Sequence, residues 1–563
     1  MANFKTGIDR NQLTLFPTYL DDIIDKDNDI RVIDAFVDSL DIVELNFSYS
    51  IPKSKGNRPY NPKDMLKLFL LGYKQGIRSS RKLMYQAKNN IEYIWLLKGI
   101  TPDFRSISDF RKDNIDSLKS VMISFNLSCK DLNILSNVFS QDGTKIKAVN
   151  SKDNNFTLSK IDDRKKRIQN HIDEFLTEME LTDSIEDKQE KLNNIEALKQ
   201  KLALLNSYES EIINNNLTQK SITDPESKLM RDNGKFTVGY NDQVCVDVNS
   251  HIVTDFEVTD NPADLGSIHN ISSNIKNTYD FDSVTDITDK GYIDRNDMLN
   301  CFKDGIIPEV TPNSGNDGFT LETEFVENNI TDDIINSSDP SDLKKCLEAG
   351  VIPNLYKDNI SSIEVKDVIT YETNFQDDEY SSLSCDELRD KAINDDCFTR
   401  HIESDKVFCP MGEILRKKSS NSKGIIYYNK LACENCKNTC TDCPFKTVFF
   451  KTNQTIVSRK NSESNKPIKK KKIKRTKKIV KKVFIKTKSN FTLLKQRMSI
   501  SEHPHASMKF WDNSRYLLLK GIRKATGELA LYYCAYNIRR AINLIGVPTL
   551  VAYFKNKNKE ITI

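Results

Sequence analysis

No apolar run in the 563 residues reaches the roughly 18 that a membrane-crossing helix needs. Met1 to Pro17 likewise lacks the apolar core of a signal peptide. Those two absences predict a cytoplasmic protein with no membrane partner. Charge of one sign is not in excess either: 83 basic residues face 80 acidic ones, a formal net charge of +3. A balance that close says little about partners, so the distribution of charge must be read instead. Histidine is scarce, at six residues. Cysteine is not scarce, at 12, but a cytoplasmic setting argues against a disulfide framework. Metal binding is then the reading to test for clustered cysteines, and buried thiols for scattered ones. A chain this long exceeds one ordinary core, so two or more domains are expected.

Residues 1–130 read as short helices. PYNPKDMLKLFLLGYKQGI spaces Met65, Leu66, Phe69, Leu70 and Tyr73 helically, with Pro62 near the start and Gly72 late. Arg78, Arg81, Lys82, Arg105, Arg111 and Lys112 lie between the apolar positions. A DNA-binding helical domain and a bundle with an ordinary basic face fit equally well. Residues 131–309 turn to strands, interrupted at 158–216 by charged text without Pro or Gly. Ile161, Ile168, Ile172, Phe175 and Met179, then Leu192, Ile195, Leu198, Leu202 and Leu205, predict an antiparallel helical hairpin bent at LTDSIED. FTVGYNDQVCVDVNSHIVTDFEVTD predicts two strands turned at VNSH, and FDSVTDIT a further strand ending at Asp289. Residues 310–490 read as an insertion: acidic and irregular to 400, then cysteine-rich, then lysine-rich. Residues 491–563 return to helix.

VFSQDGTKIKAV places Asp142 and Gly143 inside an otherwise alternating strand, where both residues are poor formers. A strand-borne Asp beside Gly gives a carboxylate that a ligand or another backbone can approach. Asp289 repeats the arrangement, one residue from Gly291. Two such carboxylates on neighbouring strands, with a third acid from a helix, are a donor set for two Mg²⁺ ions. In a chain with 80 acids, a solvated or capping Asp is the simpler alternative.

The phrases in order carry more than the spacing. NRPYNPKDMLKLFLLGYKQGIRSSRKLMYQAKNNIEYIWLLKG, SISDFRK, FSQDGTKIKAV, TDPESKLMRDNGKFTVGYNDQVCVD, IVTDFEVTDNPADLGS, TDITDKGY, VFCPMGEIL and SEHPHASMKFW…YLLLKGIRKATGELALYYCAYNIRRAI follow one another. In that order the chain resembles the DDE transposases of bacterial insertion sequences, in the branch with an InsH-like N-terminal domain. The resemblance implies an α/β catalytic core, an RNase H-like mixed five-stranded sheet with helices, behind an all-α N-terminal domain. It maps the Asp-Asp-Glu triad and its two Mg²⁺ ions onto Asp142, Asp289 and Glu502. Lys509, seven residues after Glu502, would bind phosphate, as would Arg497, Arg78 and Arg81. The family usually has Arg four residues before the Glu; here Met498 stands there and Arg497 is one off. The usual Phe-Gly after the His-Pro step is replaced by His505-Ala506. Glu528 is the alternative third acid, though the resemblance makes it structural.

The implied activity is cleavage at terminal inverted repeats and strand transfer to target DNA by a homo-oligomer at the nucleoid. A repurposed or decayed DNA-binding protein and a non-transposing nuclease of the same fold are the alternatives. LACENCKNTCTDCPFK holds Cys433, Cys436, Cys440 and Cys443 as C-x2-C-x3-C-x2-C. Two CxxC knuckles supply four ligands to a structural Zn²⁺, although the three-residue spacer is tight. A second set takes Cys409 with three of those four; unligated thiols are the alternative. Lys466 to Lys488 interleaves Lys with Ile, Val and Phe, which suits contact with double-stranded DNA or a solvated linker.

Overall fold

Strong alternation along Val138–Lys147 makes that stretch, β1, the middle strand of a sheet. It pairs antiparallel with β2 (Lys235–Asp247), which turns back into β3 (Val253–Thr259). On its other side it pairs parallel with β4 (Val284–Thr288), which pairs parallel with β5 (Ile306–Val310). The order is therefore β3-β2-β1-β4-β5, with Lys228–Asp232 adding to the first half of β2. Parallel neighbours need crossovers. Helix Ile268–Thr278 lies between β3 and β4 in the chain, and helix Arg295–Lys303 between β4 and β5; each buries one apolar stripe.

This is a computed structural model, and it describes residues 19–51, 59–180, 185–215, 217–232, 234–373, 383–421, 424–434, 436, 440, 445–451, 454–458, 475–512 and 514–561. Cys443 and residues 466–474 of the lysine run lie outside the described residues, as does the stretch to Pro17. The chain divides into two units: Met1–Asn155 with Ser221–Lys366 and Lys481–Ile563, and Phe156–Lys220 with Asp367–Val480.

In the first unit, six helices precede the sheet: α1 (Ile30–Asp38), α2 (Pro62–Lys74), α3 (Ser80–Asn89), α4 (Ile91–Leu96), α5 (Phe104–Asp113) and α6 (Ser117–Asp131). Asn61 caps α2 by accepting from Lys63 N, with Pro62 in the first helical position, where its missing N–H costs nothing. These helices have no core to themselves. One apolar cluster runs from Ile24 through Phe69 and Phe125 to Val244 and Phe256 of the sheet, and on to Tyr533 and Phe554. The last two belong to the long C-terminal helices Ile522–Ile545 and Val547–Ile561. The close approach is visible at Gly527, where a Cβ would lie 2.4 Å from Ile115 Cγ1.

The stretch read as irregular from 310 is partly ordered in this unit. β6 (Thr320–Glu324), β7 (Ile360–Thr373) and β8 (Arg475–Thr487) form a second sheet in the order β7-β8-β6. Leu321, Leu343, Leu347 and Tyr356 join Val483 and Ile485 in a second apolar cluster. The described end of the lysine run is thus a strand. Val483 and Ile485 are buried, and Lys482, just before them, pairs with Glu322 of the acidic stretch.

The second unit contains the predicted hairpin, Leu158–Glu180 against Ile185–Asn214, packed through Ile161, Leu205 and Ile212. Its residues 181–184 are outside the described set. The unit also has a six-stranded antiparallel sheet spanning Cys397 to Ser458. Arg416 of that sheet pairs with Glu209 and Asp162 of the hairpin. Among the described residues no helix is long and apolar enough to cross a membrane.

Candidate active site

Asp142 and Asp289 are level on adjacent strands. Ser140 pairs with Ile287 in the parallel register, so two residues on, Asp142 meets Asp289 just past the end of β4. Asp142 Oδ1 accepts from Gly143 N at 2.9 Å, and Asp289 Oδ1 from Gly291 N at 2.6 Å. Each carboxylate is fixed by the backbone of its own Gly-containing turn or strand. Gly143 is needed for a second reason. A Cβ there would lie 2.4 Å from Gln243 Nε2 and 2.6 Å from Asp264 Oδ1. Asp264 accepts from Asn241 Nδ2 at 2.8 Å and pairs with Lys145 at 3.2 Å, which ties a third carboxylate to this end of the sheet.

Burial raises the Asp142 pKa above the usual carboxylate value. The Arg497 guanidinium opposes that shift, while the charges of Asp289 and Asp264 add to it. The helix α7 (here Phe491–Ala506), starting at an Asn490 cap that accepts from Thr492 N and Leu493 N, carries the facing groups. Arg497 Nη1 is 3.6 Å from Asp142 Oδ2, and Ser501 Oγ is 3.3 Å from the same oxygen. Residues four apart share a helix face, so the row Arg497, Ser501, His505 lies over β1. Beyond α7 the chain makes a π turn, Ser507–Trp511. There Lys509 Nζ donates to Thr144 Oγ1 at 2.6 Å, two residues along β1 from Asp142. The wider turn falls behind the α-helical phase and carries Lys509 to the Ser501 side.

Glu502 is adjacent in sequence to Ser501 but exposed. One residue is about 100° around a helix, so its side chain leaves the helix away from the row over Asp142. Among the described residues no group of three His, Cys, Asp or Glu side chains is gathered tightly enough to hold a metal. The structure thus brings Asp142, Asp289, Arg497 and Lys509 together and leaves Glu502 apart from them.

Two ionisable groups near this face are fully buried. Among the described residues, neither ring nitrogen of His505 has a partner in good hydrogen-bond geometry. Burial, with the Lys509 charge, pushes its pKa down to about 3, which keeps the ring neutral. Asp242, opposite Thr144 in the register, accepts from Tyr533 Oη. Burial pushes its pKa up to about 7 despite that bond. Sequence reading missed Ser501, Thr144, Asp242 and Asp264. The available signal was the four-residue spacing from Arg497 through Ser501 to His505.

The basic residues of the N-terminal helices divide by burial. Arg78 is buried, its Nη1 3.2 Å from Glu528 Oε1 and 2.7 Å from the Tyr516 carbonyl oxygen. Glu528 also accepts from Leu518 N and Leu519 N. Those bonds make the pair an internal brace, and in this conformation the Arg78 guanidinium is not offered to a phosphate. Arg81 is exposed, and it and Arg105 lie against the Phe104 ring at 5.2 and 5.8 Å.

Two segments match known protein families. Residues 18–113 match a transposase domain (DUF772), and residues 408–542 match a transposase DDE domain. No curated protein and no solved structure matches the chain. Both matches define one class, the transposases. Within it, the second match is to a DDE domain, and the two together indicate a DDE transposase of an insertion sequence. The second matched segment includes Arg497, Glu502 and Lys509, whereas Asp142 and Asp289 lie outside both.

Proposed function

We propose that the protein is a divalent-metal-dependent DNA transposase whose acids are Asp142, Asp289 and Glu502. The observation that carries this reading is the level placement of Asp142 and Asp289 on adjacent parallel strands, with Arg497 and Lys509 on the same face. The strand order β3-β2-β1-β4-β5, antiparallel through β1 and parallel beyond it, supports an RNase H-like core. A pair of carboxylates fits Mg²⁺, which takes one or two from protein and completes its shell with water and phosphate oxygens. The Arg497 cation beside Asp142 marks the same spot as favourable for positive charge. When bound, such ions activate a water or 3′-hydroxyl and stabilise the leaving oxygen of a phosphodiester.

The chain's own residues do the rest. Asp142 and Asp289 are held in place by Gly143 N and Gly291 N before any substrate arrives. Lys509 lies where it meets a phosphate oxygen on giving up Thr144. Glu502 joins the aspartates when α7 turns by about one residue, roughly 100° about its axis. Arg81 and Arg105 present exposed charge for a sequence-independent hold on the DNA backbone. Element ends and target are the two duplex substrates, brought together by more than one copy of the chain.

The test is Asp142→Asn in an assay of nicking and strand transfer on the DNA flanking the gene, with Mg²⁺. Loss of both products with unchanged gel-shift affinity is expected; retained cleavage overturns the reading. A second reading, a DNA-binding protein without catalysis, is favoured by one observation: Ser501 holds the place over Asp142 that a third carboxylate needs. It requires that the unsubstituted protein bind the flanking DNA and give no cleavage with Mg²⁺ or Mn²⁺.

A further inference from the structure

Cysteines from two separate segments of the second unit line one small cavity. Cys409 reaches it from the turn after strand Lys406–Phe408, and Cys433, Cys436 and Cys440 from the segment around helix Lys430–Glu434. Phe398, Leu415 and Lys446 complete the lining. The backbone holds these segments in place. Cys409 N donates to the Glu413 carbonyl at 2.9 Å, and Gly412 N to the Cys409 carbonyl at 2.8 Å, closing a tight turn. Gly412 has φ +75°, a conformation suited to glycine. Asn429 ties the other segment to the strand that follows this turn, Ile414–Asn421: its Nδ2 donates to the Ile414 carbonyl at 2.9 Å, and its Oδ1 accepts from Ala432 N at 3.1 Å. Cys436 N in turn donates to the Cys433 carbonyl at 3.3 Å.

We propose that Cys409, Cys433, Cys436 and Cys440 are the ligand set of a structural Zn²⁺ site. Four thiolates in a tetrahedron at about 2.3 Å are a complete shell for zinc. A set drawn from two segments avoids the tight C-x2-C-x3-C-x2-C closure, because its fourth ligand comes from a different turn. No three of these side chains are gathered tightly enough to hold a metal as they stand, so ligation must draw the two segments together. Cys409 and Cys440 pack against the same apolar cluster, whose buried members among the described residues are Phe398, Val407, Leu415, Tyr427, Val448 and Phe450. A core that small needs a staple, and a metal joining the Cys409 turn to the Cys433 helix supplies one.

The site is independent of the transposase reading and is tested without DNA. Full-length protein is stripped of metal under reductant, reloaded with Zn²⁺ or Co²⁺, and dialysed. Elemental analysis is expected to give one zinc per chain, and Co²⁺ an intense sulfur-to-metal charge-transfer band. Cys443→Ser keeps both signals. Cys409→Ser loses the bound zinc and most of the band, and Cys440→Ser does the same, with gel filtration confirming that each variant remains folded. Absence of zinc from the unsubstituted protein overturns the proposal. So does zinc kept by Cys409→Ser or lost by Cys443→Ser.

Discussion

Residues such as Asp142 and Asp286 look alike in the sequence but differ in burial, Asp142 being partly exposed. Asp286 on β4 is wholly buried and its Oδ2 accepts from Ser272 Oγ at 2.8 Å. Burial pushes its pKa up to about 7 from an ordinary 3.8. The folded state therefore holds this proton more tightly than the unfolded chain. The resulting stability is complete below about pH 4 and is lost as pH rises through about 7. Asp286→Asn is expected to flatten that decline by up to about 1.4 kcal/mol per pH unit, seen in urea melts at several pH values. Glu528 gives the complementary case, an acid whose charge is matched. Glu528→Gln leaves Arg78 buried without its carboxylate and is expected to cost about 3–5 kcal/mol, measured as a lower denaturant midpoint. Residue type and spacing made the Asp-Gly step legible in the sequence, because a poor strand former inside good alternation needs a reason. The same text could not separate Arg78 from Arg81. That distinction depends on Glu528, 450 positions away.

At the scale of elements, α7 decides how the acids relate. Its apolar pattern is weak, so neither its rotation nor the π turn that follows is legible from periodicity; both are set by packing over β1. Lys509 was expected on the Glu502 face from a seven-residue spacing, and the π turn moves it toward Thr144. A double exchange, Ser501→Glu with Glu502→Ser, separates the two rotations of α7. If Glu502 acts after a turn, the exchange removes strand cleavage while circular dichroism and DNA affinity stay the same. Cleavage surviving the exchange would mean that α7 works in the rotation seen here. β8 was harder to read. Its lysines suit a solvated or DNA-bound run, and its pairing with β6 explains why Val483 and Ile485 are apolar amid the lysines. The helical hairpin was plain from its apolar period, because helices that pack mainly on one another leave a local signature.

For the whole molecule, the boundaries least visible in the sequence are those where distant segments share a core. Residues 1–130 read as a domain, yet Phe36 and Phe125 pack on Phe554, at centroid distances of 5.3 and 6.0 Å. A fragment ending at residue 131 is expected to unfold without a cooperative transition and to bind a hydrophobic dye, as measured by melts and fluorescence. The remedy is supply of residues 491–563, not a longer linker. Periodicity cannot reveal such a partnership, since each helix shows only that it has an apolar stripe and not which stripe covers it.

That shared core gives synthesis a direction. A ribosome releases Asp142 and Asp289 long before the helices that close over the amino-terminal bundle, and Glu502 emerges among the last elements. A chain broken off by early termination therefore carries neither a finished bundle nor Glu502. On the proposed role of Glu502, the capacity to cut DNA depends on segments made late in translation, and shortened products lack it.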